Sequence, residues 1–373
     1  MRVLVTGSMG FIGKHLMEAL GRKEGAEAVG IDVHSTPEEL EAALASCDAV
    51  FHLAGVNRPK DPSEFESGNA GLTRDVCARL AQMGRKPLVV LSSSTQAEQD
   101  NPYGLSKRQA EEEVCGYAKG VHAPAVVFRL TNVFGKWCRP NYNSAVATFC
   151  HNIANDLPVT VSDPKNVVHL VYIDDVVQAF LDALAEPPEA GICDYRDVGP
   201  WHSVTLSDLV EMIRSFQESR TSLRVPDFSD PFVKKLYPTY LSYLPEDQFA
   251  YGLDIKTDPR GSLAEFVKSP PFGQVFVSRT KPGITRGNHY HHTKTEKFLV
   301  VEGEGLIRFR KIDGTEILEY PVKGEEYRVV DIPPGYTHSI TNTGEGVMVT
   351  LFWSSEIFDP TNPETYFLEV EKT

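Results

Sequence analysis

Nowhere in the 373 residues do about twenty apolar residues run together, so no membrane-spanning helix is expected. No C-x-x-C pair occurs, and the last third of the chain holds no cysteine. Cys47, Cys77, Cys115, Cys138, Cys150 and Cys193 therefore read as reduced thiols, mostly in the core, as in a cytoplasmic protein. Basic residues are in the minority, 37 Lys and Arg against 51 Asp and Glu, for a net charge of −14. With no basic stripe to offset it, that balance excludes nucleic acid and anionic membrane surfaces as partners. An anionic small molecule remains open, because a few local cations suffice to hold one. The opening MRVLVTG is a strand running into a glycine turn, so no signal peptide is expected.

The length suits two domains, and 41% hydrophobic residues supply two cores. Up to about residue 200, short apolar runs (RVLVTG, AVFHLAG, PLVVLSSS, AVVFRLTNVFG) alternate with helical patterns. That alternation predicts an α/β fold, a doubly wound parallel sheet of Rossmann type. Residues 203–244 read as a helix and then an irregular connector, with Pro238 and Pro245 as breakers. From about residue 250 the strands become short and closely spaced, with turns at KPGITRG, KIDGTE and NTGEG. This predicts an all-β barrel. The expected domains are 1–245 and 246–373.

Gly7, Gly10 and Gly13 form G-x-x-G-x-x-G between a strand and a helix. Such glycines let backbone approach a pyrophosphate, which the helix N-terminus attracts. Asp32 ends the next strand, where a carboxylate either bonds a ribose 2′-hydroxyl or caps the strand end. Tyr103 and Lys107, four apart on a helix, share one face. The ammonium is expected to lower the phenol pKa from about 10, so that tyrosine exchanges a proton with a carbonyl or alcohol.

TGSMGFIG, HLAGVN, LSSS, YGLSK, RLTNVFG and VYIDDV together resemble the nucleotide-sugar branch of the extended short-chain dehydrogenase/reductases. The resemblance implies a catalytic set of Ser94, Tyr103 and Lys107. It implies a cofactor site of Gly7, Gly10, Phe11, Ile12, Gly13, Asp32, Leu53, Ala54 and Gly55 with Tyr103 and Lys107. Asn132 would lie at the sugar-nucleotide site, and Trp137, Arg139 and Asn141 where such enzymes hold the nucleotide. Asp174 and Asp175 match a structural position.

In the far half, His289, His291 and Glu296 fit G-x5-H-x-H-x4-E-x6-G, and His338 lies in P-x-G-x2-H-x3-N. Two histidines two apart on a strand point to one face, and Glu296 can meet them from a neighbouring strand. Three imidazoles and a carboxylate suit one divalent metal, with zinc expected. His292, Tyr290 and Lys297 should face away. The two-part pattern resembles the cupins, and LDIKTDPRGSLAEFV resembles sugar-nucleotide epimerase cupins. No motif identifies an acid or base there; Tyr327, Tyr336 and Lys256 are the candidates.

Over its full length the chain resembles the CapF-type bifunctional enzymes of capsule and O-antigen precursor synthesis. This implies a bacterial, cytoplasmic enzyme acting on a UDP-sugar, working as a homodimer. The cupin would epimerise C3 of a UDP-2-acetamido-2,6-dideoxy-4-hexulose and the reductase would reduce its C4 ketone. NADP(H) is the cofactor expected from the family and the reductive direction, although Asp32 favours NAD. The alternative is a single-function epimerase or dehydratase that recycles NAD, with a non-catalytic cupin. Thr95 and Gln96 follow Ser94 where a dehydratase wants an acid.

Overall fold

A computed structural model describes residues 1–371. The chain divides into two compact units, Met1–Ile213 with Lys235–Leu244, and Arg214–Lys234 with Pro245 onward.

The first unit holds strands β1 (Arg2–Thr6), β2 (Glu27–Ile31), β3 (Ala49–His52), β4 (Leu88–Ser94), β5 (Ala125–Leu130), β6 (Asn132–Phe134), β7 (Val167–Tyr172), β8 (Cys193–Arg196) and β9 (His202–Thr205). Six of them form a parallel sheet in the order β2-β1-β3-β4-β5-β8. The strands are nearly continuous apolar runs because helices cover both faces. On one face Val3, Val5, Phe51, Val90 and Phe128 pack against the helices Phe11–Gly21 and Ile173–Ala185, with Phe180 5.0 Å from Phe128. On the other, Leu4, Val50, Val89 and Val127 meet Leu44, Leu80 and Val114. A small sheet of order β6-β7-β9 lies apart from it. The doubly wound architecture is the one expected.

The second unit holds β10 (Ile255–Asp258), β11 (Gly261–Ser269), β12 (Gly273–Thr280), β13 (Thr285–Tyr290), β14 (Glu296–Glu302), β15 (Glu304–Lys311), β16 (Ile317–Lys323), β17 (Val329–Ile332), β18 (Tyr336–Asn342), β19 (Met348–Ser354) and β20 (Tyr366–Phe367). They form two antiparallel sheets, β10-β11-β12-β19-β14-β17 and β16-β15-β18-β13-β20. Phe298, Val300, Ile307, Ile340, Met348 and Phe352 fill the core.

Three expectations are corrected. Arg214–Lys234 belongs to the second unit, not the first. β10 pairs only with Gly261–Ala264, which leaves the far end of β11 an open edge. Lys268 there donates to the Leu223 carbonyl at 2.7 Å and accepts from Val225 N–H at 2.9 Å, so the excursion satisfies that edge. Pro238, read as a breaker, lies inside the helix Pro231–Leu241. Its lost N–H bond is outweighed by full burial of Leu236 and Tyr240, four apart on one stripe. Finally, Cys115 and Cys193 form a disulfide, with Cα atoms 5.1 Å apart. Parallel pairing of β5 with β8 brings Cys193 beside the helix Pro102–Val121, although 78 residues separate the two cysteines. Cys47, Cys77 and Cys150 are buried free thiols, and Cys138 is half-buried.

Candidate functional site

The glycine loop joins β1 to the helix Phe11–Gly21. A Cβ on Gly13 would lie 2.1 Å from the Gly7 carbonyl oxygen, so no larger residue fits where the loop folds on the helix start. Gly10 N–H donates to the same oxygen at 3.0 Å. Phe11, Ile12 and Leu53 pack on the sheet core, and the Ala54 N–H donates to Thr6 Oγ1 at 3.3 Å. Asp32 lies at the end of β2, but its carboxylate reaches the loop. Oδ2 accepts from Met9 N–H at 2.7 Å and Oδ1 from Val33 N–H at 2.8 Å.

Tyr103 and Lys107 sit in the first turns of the helix Pro102–Val121. Asn101 caps it by accepting from Gly104 N–H at 2.8 Å, and Pro102 supplies the preset φ. Gly104 permits a close approach: a Cβ would stand 2.2 Å from the Gln96 carbonyl oxygen. The helix thus presses on the turn Thr95–Glu98 and brings Tyr103 beside Ser94 at the end of β4. Burial raises the Tyr103 phenol pKa, and the Ser94 hydroxyl lowers it. The expected depression by Lys107 is absent. Its Nζ, 5.9 Å from the Tyr103 ring centroid, donates to the Ser92 carbonyl at 3.2 Å instead. Lys107 itself is buried, and burial lowers its pKa to about 8 against the raising effect of Glu111.

That value gives a pH prediction. Lys107 is protonated below about pH 8 and neutral above it. If the Lys107 ammonium supports proton donation by Tyr103, kcat for reduction should fall as pH rises through 8. A kcat profile flat from pH 7 to about 9.5 would refute that role.

Several supporting residues carried no sequence signal. Asn69 is buried in a π-helical turn; its carboxamide donates to Ser106 Oγ and Val56 O and accepts from Val56 N–H. This pins the loop after β3, where a Cβ on Gly55 would meet Asn69 Oδ1 at 2.7 Å. His52 is buried between Thr6 and Thr73 hydroxyls, and burial followed by the Lys107 charge lowers its pKa to about 4. Glu111, one turn beyond Lys107, is buried and accepts from Ser93 at 2.5 Å and from Arg129 at 3.0 and 2.7 Å.

Asn132, on β6, donates to the His169 carbonyl at 3.2 Å. Trp137 is half-exposed rather than core, with His15 against it at 4.6 Å and Lys136 over its ring at 5.0 Å. Arg139 stacks on Tyr142, and Asn141 adopts a left-handed φ of 54°. Asp175 pairs with Lys235 at 2.6 Å and Asp174 with Lys136 at 3.7 Å.

In the second unit His289, His291, Glu296 and His338 converge, with one donor atom of each within 4.8 Å of the others. His289 pairs directly with His338 across β13 and β18 after a bulge at Gly287–His289. His291 lies just past the end of β13. Glu296 comes from β14 in the facing sheet, not from a strand neighbouring β13. Its Oε2 is 3.4 Å from both His291 Nε2 and His338 Nε2. Burial opposes ionisation of Glu296, but His291 and His338 together hold its pKa well below the usual range. Burial lowers the His289 pKa to about 4, so its imidazole is neutral.

The residues fit a divalent ion. His291 Nε2 and His338 Nε2 are buried without hydrogen-bond partners, which is costly unless a ligand takes them. His291 Nδ1 donates to the Glu364 carbonyl at 2.6 Å, leaving Nε2 bare. His292 is exposed and Lys297 pairs outward with Asp331. Tyr290 stacks on Tyr366 at 5.3 Å. Of the acid–base candidates, Tyr327 is 69% exposed and Lys256 stands exposed beside Glu265. Tyr336 alone shares the inward face of β18 with His338, packed against the core.

Residues 3–193 match the NAD dependent epimerase/dehydratase family, and residues 256–366 the polysaccharide biosynthesis C-terminal domain. The chain is 44% identical to the UDP-2-acetamido-2,6-beta-L-arabino-hexul-4-ose reductase of Pseudomonas aeruginosa, over 99% of each chain. The crystal structure of the capsular polysaccharide assembling protein CapF from Staphylococcus aureus superposes with a TM-score of 0.92 at 46% identity, covering 99% of this chain and 100% of that one. A UDP-glucuronic acid 4-epimerase from Bacillus cereus, 22% identical with a TM-score of 0.53 over 58% of this chain and 83% of that one, shares the fold of the first unit. The chain belongs to the NAD dependent epimerase/dehydratase family, in its CapF-type branch that carries a C-terminal polysaccharide-biosynthesis domain.

Proposed function

We propose that this chain is a bifunctional UDP-sugar enzyme. The barrel unit inverts C3 of a UDP-2-acetamido-2,6-dideoxy-4-hexulose. The sheet unit reduces the C4 ketone to UDP-2-acetamido-2,6-dideoxy-L-talose, on the route to UDP-N-acetyl-L-fucosamine for capsule or O-antigen. The observation that carries this reading is end-to-end relatedness, at 44% identity, to a UDP-hexulose reductase.

NADPH would supply the hydride to C4. Tyr103 gives its phenolic proton to the C4 oxygen as that oxygen gains charge, Ser94 holds the oxygen, and Lys107 sustains the donor. In the barrel, the C4 ketone acidifies the C3 proton, so one group removes it and another returns it on the opposite face. His289, His291, Glu296 and His338 would hold a zinc ion, which would supply positive charge for the ketone oxygen. Reduction then removes the ketone and stops reversal. The enzyme acts as a homodimer in the cytoplasm; no helix among the described residues is long and apolar enough to cross a membrane.

Both Asp32 oxygens already accept backbone N–H groups, which tempers the carboxylate's repulsion of a 2′-phosphate. Steady-state kinetics with each cofactor should give a higher kcat/KM for NADPH than NADH, with one cofactor oxidised per product. A clear NADH preference would overturn the cofactor assignment. Product formed with no net oxidation would favour the NAD-recycling epimerase.

A further inference from the structure

The candidate metal ligands lean on a segment about 70 residues farther along the chain. The Glu364 carbonyl accepts from His291 Nδ1 at 2.6 Å. A carbonyl only accepts, so this bond fixes the tautomer that leaves His291 Nε2 bare towards Glu296. The Glu364 carboxylate also caps the loop that follows His291. Oε1 accepts from His292 N–H at 2.8 Å and Thr293 N–H at 3.2 Å, and Oε2 from Lys294 N–H at 3.2 Å. The loop holds the segment in return: buried Lys294 donates to the Pro363 carbonyl and to Thr365 Oγ1, both at 2.8 Å. Glu364 has a φ of +46°, a left-handed conformation that a non-glycine residue keeps only under such support.

The segment is anchored downstream as well. Phe367 pairs with His289 across β20 and β13, and the Thr337 hydroxyl, next to His338, donates to the Leu368 carbonyl. Arg310, 1% exposed, donates to the Glu369 carbonyl at 2.6 Å and the Val370 carbonyl at 2.8 Å. Its remaining bonds go to the Lys311 and Gly314 carbonyls. A buried guanidinium is tolerated only when its donors are satisfied, so the docked tail and Arg310 require each other.

We infer that Glu364 is a positioning residue of the metal centre. Its carbonyl sets the tautomer and ring orientation of His291, and its carboxylate fixes the loop that carries it. Ion capture therefore depends on the docked segment Pro363–Val370. This rests on the reading of the His–Glu cluster as a metal site.

The test is zinc affinity of the full-length protein by competition with a chromophoric chelator, with the visible spectrum of the cobalt-loaded protein as a report on ligand geometry. Glu364→Ala should bind zinc about ten- to a hundredfold more weakly and alter the cobalt spectrum. Glu364→Gln, whose amide oxygen still accepts from the loop, should recover most of the affinity. Thermal unfolding in excess chelator serves as the folding control. If Glu364→Ala does not fold, Lys294→Met decides, since it loosens the segment and leaves the carboxylate in place; about tenfold weaker zinc binding is expected. Wild-type affinity in Glu364→Ala, or in Lys294→Met where that variant decides, overturns the inference alone. Failure of the wild type to bind zinc or cobalt overturns the metal reading and this inference with it.

Discussion

Tyr103→Phe is expected to lower kcat for ketone reduction by about a hundredfold to ten-thousandfold, the usual loss when a positioned proton donor is removed. Gly104 lets the helix close on the turn at Gln96, which sets Tyr103 beside Ser94. The ring keeps its packing against Phe65, 5.5 Å away, so the Phe variant should fold and bind cofactor normally. The phenol pKa is raised rather than lowered in the free protein, which keeps the proton on the oxygen until the substrate oxygen demands it. Stopped-flow reduction with saturating NADPH measures the effect. Unchanged turnover in the variant would remove Tyr103 from the acid's role. The same variant should still exchange the C3 proton with solvent, because the proposed epimerase residues are on the other unit.

His338→Gln should have the complementary effect. His338 is fully buried, faces His289 across the strand pair and contacts Glu296 at 3.4 Å. Its ring also packs against Phe298 and Phe309, so glutamine, which fills part of that volume, is the safer replacement. Zinc content should fall from about one per chain to near zero, and C3 exchange should drop at least about a hundredfold. Cofactor binding by the first unit should be unchanged. Full zinc occupancy in the variant would exclude His338 as a ligand.

What the sequence revealed about these sites was local. Gly7, Gly10 and Gly13 are read from spacing alone because a strand–turn–helix fixes their geometry within a few residues. Tyr103 and Lys107 are legible because a helix repeats every three to four residues. H-x-H signals a shared face, although His291 reaches the cluster from beyond the strand end and Glu296 from the facing sheet. Long-range contacts were not legible. The Cys115–Cys193 bond follows from the β5–β8 pairing, and the placement of Arg214–Lys234 from an unpaired stretch of β11. Glu364 lies 73 residues after His291 in a polar, Pro-containing stretch with no periodicity. At its strand end Asp32 suits either a ribose bond or a cap, and its bond to Met9 N–H adds a third role, bracing the glycine loop itself.

The central claim is that one chain both inverts C3 and reduces C4. It is tested most directly by incubating the wild-type protein with the UDP-4-hexulose in deuterated water, with and without NADPH, and following the sugar by NMR. The account predicts deuterium at C3 without NADPH, and with NADPH a reduced product of inverted C3 configuration carrying deuterium there and a cofactor-derived proton at C4. A reduced product that keeps its original C3 proton and configuration would contradict it.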